Sequence, residues 1–296
     1  MEIRVLKYFL TVVREQSITK AAEVLHITQP TLSRQIAQME DEIGVRLFER
    51  GSRKITLTNE GLLLRRRAEE ILQLVDKTEK ELIEQDEQVE GKITIGCGEI
   101  GAVQLLPDLF ESFHEKYPLV TFDIYSATAD HVKAQMERGL VDIGLLLEPI
   151  DIEKYDFIRL DMKECWVVVM RPDCSLAEKE YVTAKDLSKL PLIMPRRLKV
   201  QSELSGWFGD YYDGLNMLFT SNLNTNAAVM VSRGLGYAIA IEGMMPFWDQ
   251  SKITYRPLNP SLTATSVLTW KRGQPFSLAA TKFIEHLKCF LSMDKA

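Results

Sequence analysis

Residues 17–43, SITKAAEVLHITQPTLSRQIAQMEDEI, restrict the fold more than any other stretch, because they read as two short helices joined by a tight turn. Ala21, Ala22, Val24 and Leu25 give the first helix a small apolar inner face, and the chain breaks at His26 and Ile27. Thr28 restarts it as an N-cap, with Pro30 in the first turn, where a missing N–H costs nothing. On the second helix Leu32, Ile36, Met39 and Ile43 recur at spacings of four, three and four, a stripe expected to be buried. The opposite face carries Pro30, Ser33, Arg34, Ala37 and Gln38. Small and hydrogen-bonding side chains around one Arg at a helix N-terminus suit a DNA major groove, where side chains reach base edges and backbone N–H groups meet phosphate. Gln29, Pro30, Thr31, Ser33 and Arg34 are therefore the candidate base and backbone contacts. The alternative is an ordinary helical hairpin with a solvated polar face.

The flanking segments extend this reading. Leu6, Phe9, Leu10 and Val13 form an amphipathic helix ending near Glu15. Gly44 closes the second helix of the pair, and VRLFERGSRKITLT follows. There Arg50, Arg53 and Lys54 flank Gly51 and Ser52, and Ile55 and Leu57 alternate after them, which suggests a two-stranded wing with a basic tip. Arg50 and Arg53 could meet phosphate or a narrow minor groove, or the tip could be a solvated turn. A long helix is expected over 59–88, where Gly61, Leu64, Ala68, Ile71, Val75, Thr78, Leu82 and Gln85 space out an a/d seam. Such a seam calls for a partner, so the segment is read as a dimerising linker. Pairing of two winged domains would match an approximate inverted repeat in double-stranded DNA. Arg65, Arg66 and Arg67, early in that helix, could touch phosphate.

Charge agrees when counted by segment. Residues 1–58 hold nine Lys/Arg against seven Asp/Glu, net +2; residues 59–90 hold five against ten, net −5; the rest holds 22 against 25, net −3. Only the first segment is positive. A length of 296 residues suggests two or three domains. The four cysteines, Cys97, Cys165, Cys174 and Cys289, lack zinc-type spacing, as do the four histidines, and no cofactor motif appears, so no metal or cofactor is expected. No signal peptide and no membrane span are evident, and a cytoplasmic location is expected.

From residue 90 the pattern changes to short apolar β-rich runs alternating with helical stretches at 103–117, 130–139, 202–212, 226–233 and 277–291. Alternation means an α/β sheet with parallel strands, and there are enough strands for two subdomains joined by crossovers. Ligands of such sheets sit beyond the carboxyl ends of strands, near helix N-termini. Three turns qualify: Gly98, Glu99, Ile100 and Gly101; Ser126 to Thr128; and Asn224, Thr225 and Asn226. Each could equally be an ordinary turn.

The stretch AAEVLHITQPTLSRQIAQMEDEIGVRLFER resembles the amino-terminal signature of LysR-type transcriptional regulators. IGCGEIGAVQLLPDLFESFHEKYPLVTFDIY, GLVDIGLLL and NAAVMVSRGLGYAIAI are similar to that family's effector-binding domain. The resemblance covers nearly the whole chain. It implies a winged helix-turn-helix at 1–58, a linker helix at 59–89, and a periplasmic-binding-protein-like effector domain at 90–296, divided into 90–161 with 267–296 and 162–266. It also implies a homodimer or homotetramer and a small-molecule effector between the subdomains, with RNA polymerase as a further candidate partner. The effector would touch the three turns and the segment 194–197. Arg196 or Arg197 would partner an anion, whereas Glu99, where the family often carries Ser or Thr, would repel one and favour a cationic or amine ligand. Glu60 also departs from the family's usual small residue, at a helix start where a carboxylate suits the dipole. Competing readings are an enzyme with Cys97 as nucleophile and a plain solute-binding protein. The first lacks a GxSxG or phosphate loop, and the amino-terminal helices oppose the second.

Overall fold

The computed structural model describes residues 1–49, 55–83, 89–148, 151 and 153–293. The chain divides into two compact units, residues 1–85 and 86–296.

In the first unit α1 (Ile3–Glu15), α2 (Ile18–Val24) and α3 (Gln29–Ile43) enclose a core of Leu6, Phe9, Val12, Ala21, Ala22, Leu32, Ile36 and Met39. The buried stripe of α1 is rotated slightly from the expected one: Val5 and Val12 are buried, while Leu10 and Val13 are only half-buried. On α3, Leu32, Ile36 and Met39 are buried as their spacing requires, but Ile43 is 42% exposed. Ile43 lies in the last turn, just before Gly44 turns the chain away at φ 79°. Glu40 is buried in its stead. Its carboxylate accepts from Leu47 N at 2.7 Å, Phe48 N at 3.3 Å and Arg46 Nη1 at 2.8 Å.

Beyond that turn β1 (Phe48–Glu49) and β2 (Thr56–Leu57) form a short antiparallel ladder, Phe48 opposite Leu57. The expected basic tip, with Arg50 and Arg53, lies outside the described residues. Next, α4 (Asn59–Ile83) runs about 38 Å. The expected seam is split along its length. Gly61, Leu64 and Ala68, with Leu72, pack against the first unit's own core rather than waiting for a partner. The apolar side chains left exposed are Leu62, Leu63, Ile71 and Leu74. Gln85 and the side chain of Leu82 lie outside the described residues.

The second unit is built on two sheets that share one strand. In chain order its elements are β3 (Gly91–Cys97), α5 (Leu106–His114), β4 (Val120–Ser126), α6 (Ala129–Glu137), β5 (Ile143–Leu147), β6 (Tyr155–Met170) and α7 (Ala184–Leu187). They continue with β7 (Leu192–Pro195), α8 (Leu198–Phe208), β8 (Met217–Ser221), α9 (Asn224–Ser232), β9 (Tyr237–Ile241), β10 (Thr254–Pro257), β11 (Thr263–Lys271) and α10 (Leu278–Met293). The first sheet has the order β4-β3-β5-β11-β6, and the second continues β6-β9-β7-β8 with β10 on the other side of β6. β3, β4 and β5 are mutually parallel, as are β7, β8 and β9. β6, β10 and β11 run antiparallel, against the all-parallel expectation. The reason is the crossover: β6 carries the chain out of the first sheet into the second, and β11 brings it back alongside.

Each sheet is covered on both faces, which is why its strands read as unbroken apolar runs. Ile93, Ile95 and Leu268 face Phe113 of α5 and Phe283 of α10, while Leu146 and Val267 face Val132 and Met136 of α6. In the second half of β6, Trp166, Val168 and Met170 pack toward α8, and Val167 and Val169 toward α9. The ladder passes from β11 to β9 between Cys165, opposite Thr263, and Trp166, opposite Ile241. That is a few residues from the subdomain boundaries expected at 161/162 and 266/267.

Candidate functional sites

The first unit presents one end of α3. Ser17 caps α2 by accepting from Lys20 N at 3.4 Å. After α2, His26 takes a left-handed φ of 53° and Ile27 N donates to Ala22 O at 3.0 Å, so the turn is tight. Thr28 then caps α3: its hydroxyl accepts from Thr31 N at 3.4 Å and pairs with the Thr31 hydroxyl at 2.8 Å. Of the singled-out residues, Gln29, Pro30, Thr31 and Arg34 are exposed and Ser33 is half-buried. Arg34 makes no hydrogen bond or ion pair among the described residues, in contrast to Gln38, which donates to Glu42. A helix N-terminus with small neighbours and an unengaged guanidinium is a donor surface without competing carboxylates of its own. Arg65, Arg66 and Arg67 are all exposed, and Arg65 and Arg67 pair with Glu69 and Glu70 on α4.

The second unit holds a cleft of about 110 Å³ between its two sheets, room for roughly eight waters or a small organic molecule. It opens beyond the carboxyl ends of β3, β5, β7, β8 and β9, as sheet topology dictates. Gly98, Glu99, Ile100, Thr128, Arg196 and Asn224 line it. Ser126 and Thr225 do not: Ser126 ends β4 opposite Cys97, and Thr225 is engaged by Glu99. Sequence reasoning missed Trp166, Leu147, Val200, Ser221 and Ile241, and gave Arg197 only as an alternative to Arg196. The apolar ones sit inside runs that read simply as core.

Glu99 does not present a bare charge to the cleft. Its carboxylate accepts from Thr225 N at 3.0 Å and from the Thr225 hydroxyl, and its carbonyl accepts from Asn224 Nδ2 at 3.1 Å. The α9 N-terminus is thus closed by a carboxylate from the opposite sheet. Beside it Arg197 Nε lies 3.5 Å from Asp130 Oδ1 without making a hydrogen bond. Behind the cleft the backbones of Gly101 and Gly243 touch, so that a Cβ on Gly243 would lie 2.2 Å from Gly101 Cα. Glu164 holds that contact, accepting from Gly101 N at 3.0 Å, Ala102 N at 2.8 Å and the Ser266 hydroxyl at 3.0 Å.

Cys97 is 3% exposed, and burial pushes its thiol up, opposed by a hydrogen bond with Ser126. A protonated, enclosed thiol is a poor nucleophile. Among the described residues no cluster of His, Cys, Asp and Glu could hold a metal ion, and no helix is long and apolar enough to cross a membrane.

Comparison with known proteins falls along the same division. Residues 3–62 match the family model described as bacterial regulatory helix-turn-helix protein, lysR family, and residues 86–292 match that of the LysR substrate binding domain. The chain is 29% identical over 290 residues to the HTH-type transcriptional regulator BsdA of Bacillus subtilis (strain 168), covering 96% of this chain and 99% of that one. It is 28% identical over 284 residues to the Hca operon transcriptional activator HcaR of Escherichia coli (strain K12), covering 93% of each. Among solved structures, CbnR, a LysR family transcriptional regulator, superposes with a TM-score of 0.72 at 20% identity over 98% of this chain and 99% of that chain. Full-length CbnR complexed with its target DNA gives 0.70 at the same identity and coverage.

Proposed function

The chain belongs to the LysR family of DNA-binding transcriptional regulators, and from that premise we propose which of its residues read DNA, where it pairs and where its effector sits. The family is one of regulators, not enzymes, and the chain carries both its helix-turn-helix and its substrate-binding domain. In our reading α3 enters the major groove with Gln29, Pro30, Thr31, Ser33 and Arg34 at the DNA, and Arg50 and Arg53 of the wing add backbone contacts. The observation that carries this is the exposed N-terminal end of α3, whose one guanidinium has no partner among the described residues.

Two chains pair through α4, whose exposed Leu62, Leu63, Ile71 and Leu74 need cover. Paired winged domains read an approximate inverted repeat, and further pairing to a tetramer is compatible with it. The cleft takes a small effector that favours one arrangement of the oligomer by differential affinity. The protein acts in the cytoplasm, and contact with RNA polymerase completes the regulatory step.

The test is selection of bound fragments from random duplex DNA at two salt concentrations. Enrichment of an inverted repeat that persists at the higher salt is expected. Arg34→Ala should lose about 1–3 kcal/mol of discrimination at one base position of each half-site. Unchanged discrimination in that variant would remove α3 from base reading.

A further inference from the structure

The unpaired donors of the cleft indicate what it binds. Trp166, 5% exposed, begins the second-sheet half of β6. Arg197, its side chain 11% exposed, is the N-cap residue of α8, an 11-residue helix whose first turn receives no side-chain cap. Both line the cleft. Trp166 Nε1, Arg197 Nε and Arg197 Nη2 are buried and have no hydrogen-bond acceptor. Asp130, the carboxylate facing Arg197, is too distant at 3.5 Å for a short charge-assisted bond, and its own side chain is 60% exposed. Indole and guanidinium groups can only donate, so leaving them buried without an acceptor is unfavourable. Ile100, Leu145, Leu147, Val200 and Ile241 give the wall its apolar part, and Thr128, Ser221 and Asn222 add polar groups to it.

The other place in the cleft fit for an anion is already filled. Glu99 occupies the α9 N-terminus through Thr225, and a ligand carboxylate arriving there would meet another carboxylate. Both Glu99 carboxylate oxygens are already engaged by Thr225, so neither is left bare to hold the cationic ligand expected from the sequence.

We propose that the cleft takes a small organic acid, a carboxylate on an apolar body, seated on Arg197 and Trp166 at the α8 side, while Glu99 clasps α9 from the opposite sheet. This rests on the reading of the cleft as the effector site. The carboxylate supplies the acceptors that the indole and guanidinium lack, and the aliphatic wall holds the body.

Melting temperature of the full chain, read against matched probes, tests this: hexanoate, hexanamide and hexylamine, then benzoate, benzamide and benzylamine, with sodium chloride holding ionic strength constant. The acids should raise the melting temperature saturably and the amides and amines should not. Arg197→Met should weaken the acid response roughly tenfold or more, with Arg197→Lys falling between. Without ligand, Arg197→Met should melt no lower than the wild type, because the lost guanidinium makes no hydrogen bond through Nε or Nη2. A melting temperature several degrees lower in that variant would make Arg197 a structural tie to Asp130 and overturn the assignment. Protection by amides or amines rather than acids would overturn the ligand class but keep the cleft as the effector site. No response to any of the six probes, with operator binding intact, would count against both.

Discussion

Glu40 is a buried carboxylate beside the apolar stripe of α3, and its neighbours explain why. Burial alone would push its carboxyl up, but the N–H groups of Leu47 and Phe48 and the Arg46 guanidinium outweigh that and hold it below the ordinary value of 4.5. The side chain fixes the turn that leads from α3 to the wing. Glu40→Gln should cost about 1.5–3 kcal/mol, the scale for a charged hydrogen-bond acceptor. A depressed folded pKa means the contribution is fully present above 4.5 and lost as pH falls through the lower folded value. Urea denaturation of both proteins from pH 7 down to pH 3 should show the gap closing below 4.5. A gap that stays constant with pH would mean that the carboxylate's charge does not matter.

At the scale of elements the same turn makes a second demand. A Cβ on Gly61 would lie 2.1 Å from Leu47 O and 2.8 Å from Leu57 Cδ2, so α4 can lie against the wing strands only with glycine at that position. Gly61→Ala should destabilise the first unit by roughly 1–3 kcal/mol, as overpacking does, and a wild-type denaturation midpoint would refute that contact. The helices of this unit were legible in the sequence because each carries its own signal: Thr28 and Gly44 as caps, and Leu32, Ile36 and Met39 as a stripe. The role of α4 was not, since Gly61, Leu64 and Ala68 have coiled-coil spacing yet pack within their own unit, Gly61 against Leu47 and Leu57 and the other two in its core, and spacing does not name the partner. The first half of β6 was illegible for a different reason: its YDFIRLDMKE alternates charge with apolar residues and is only partly buried. In the cleft, turn residues such as Gly98, Glu99 and Asn224 were found from topology, whereas Trp166 and Ile241 were hidden in core-like strands. Whether Arg196 or its neighbour turns inward depends on the start of α8, which no local pattern sets.

For the whole molecule Leu63, Ile71 and Leu74 share one side of α4 that its own unit leaves uncovered, with Leu62 exposed on another side. Replacing Ile71 and Leu74 together with Lys should shift sedimentation toward the monomer and weaken operator binding without changing the fold of the isolated chain. An unchanged sedimentation coefficient would place the pairing surface elsewhere. The shared strand has its own consequence. Cys165 is laddered to Thr263 of one sheet and the next residue, Trp166, to Ile241 of the other, but a few residues earlier the β6–β11 register shifts between Thr265 and Val267, jumping from Lys163 to Arg159. Behind the cleft, Gly101 and Gly243 bear on each other as a fulcrum. A shared strand whose ladder is interrupted beside the crossover gives at the interruption, so one half can turn against the other there while the ladders on either side stay intact. Such a coupling confines the give to one irregularity in two strands, suited to nudging the geometry of an assembly rather than to engulfing a ligand.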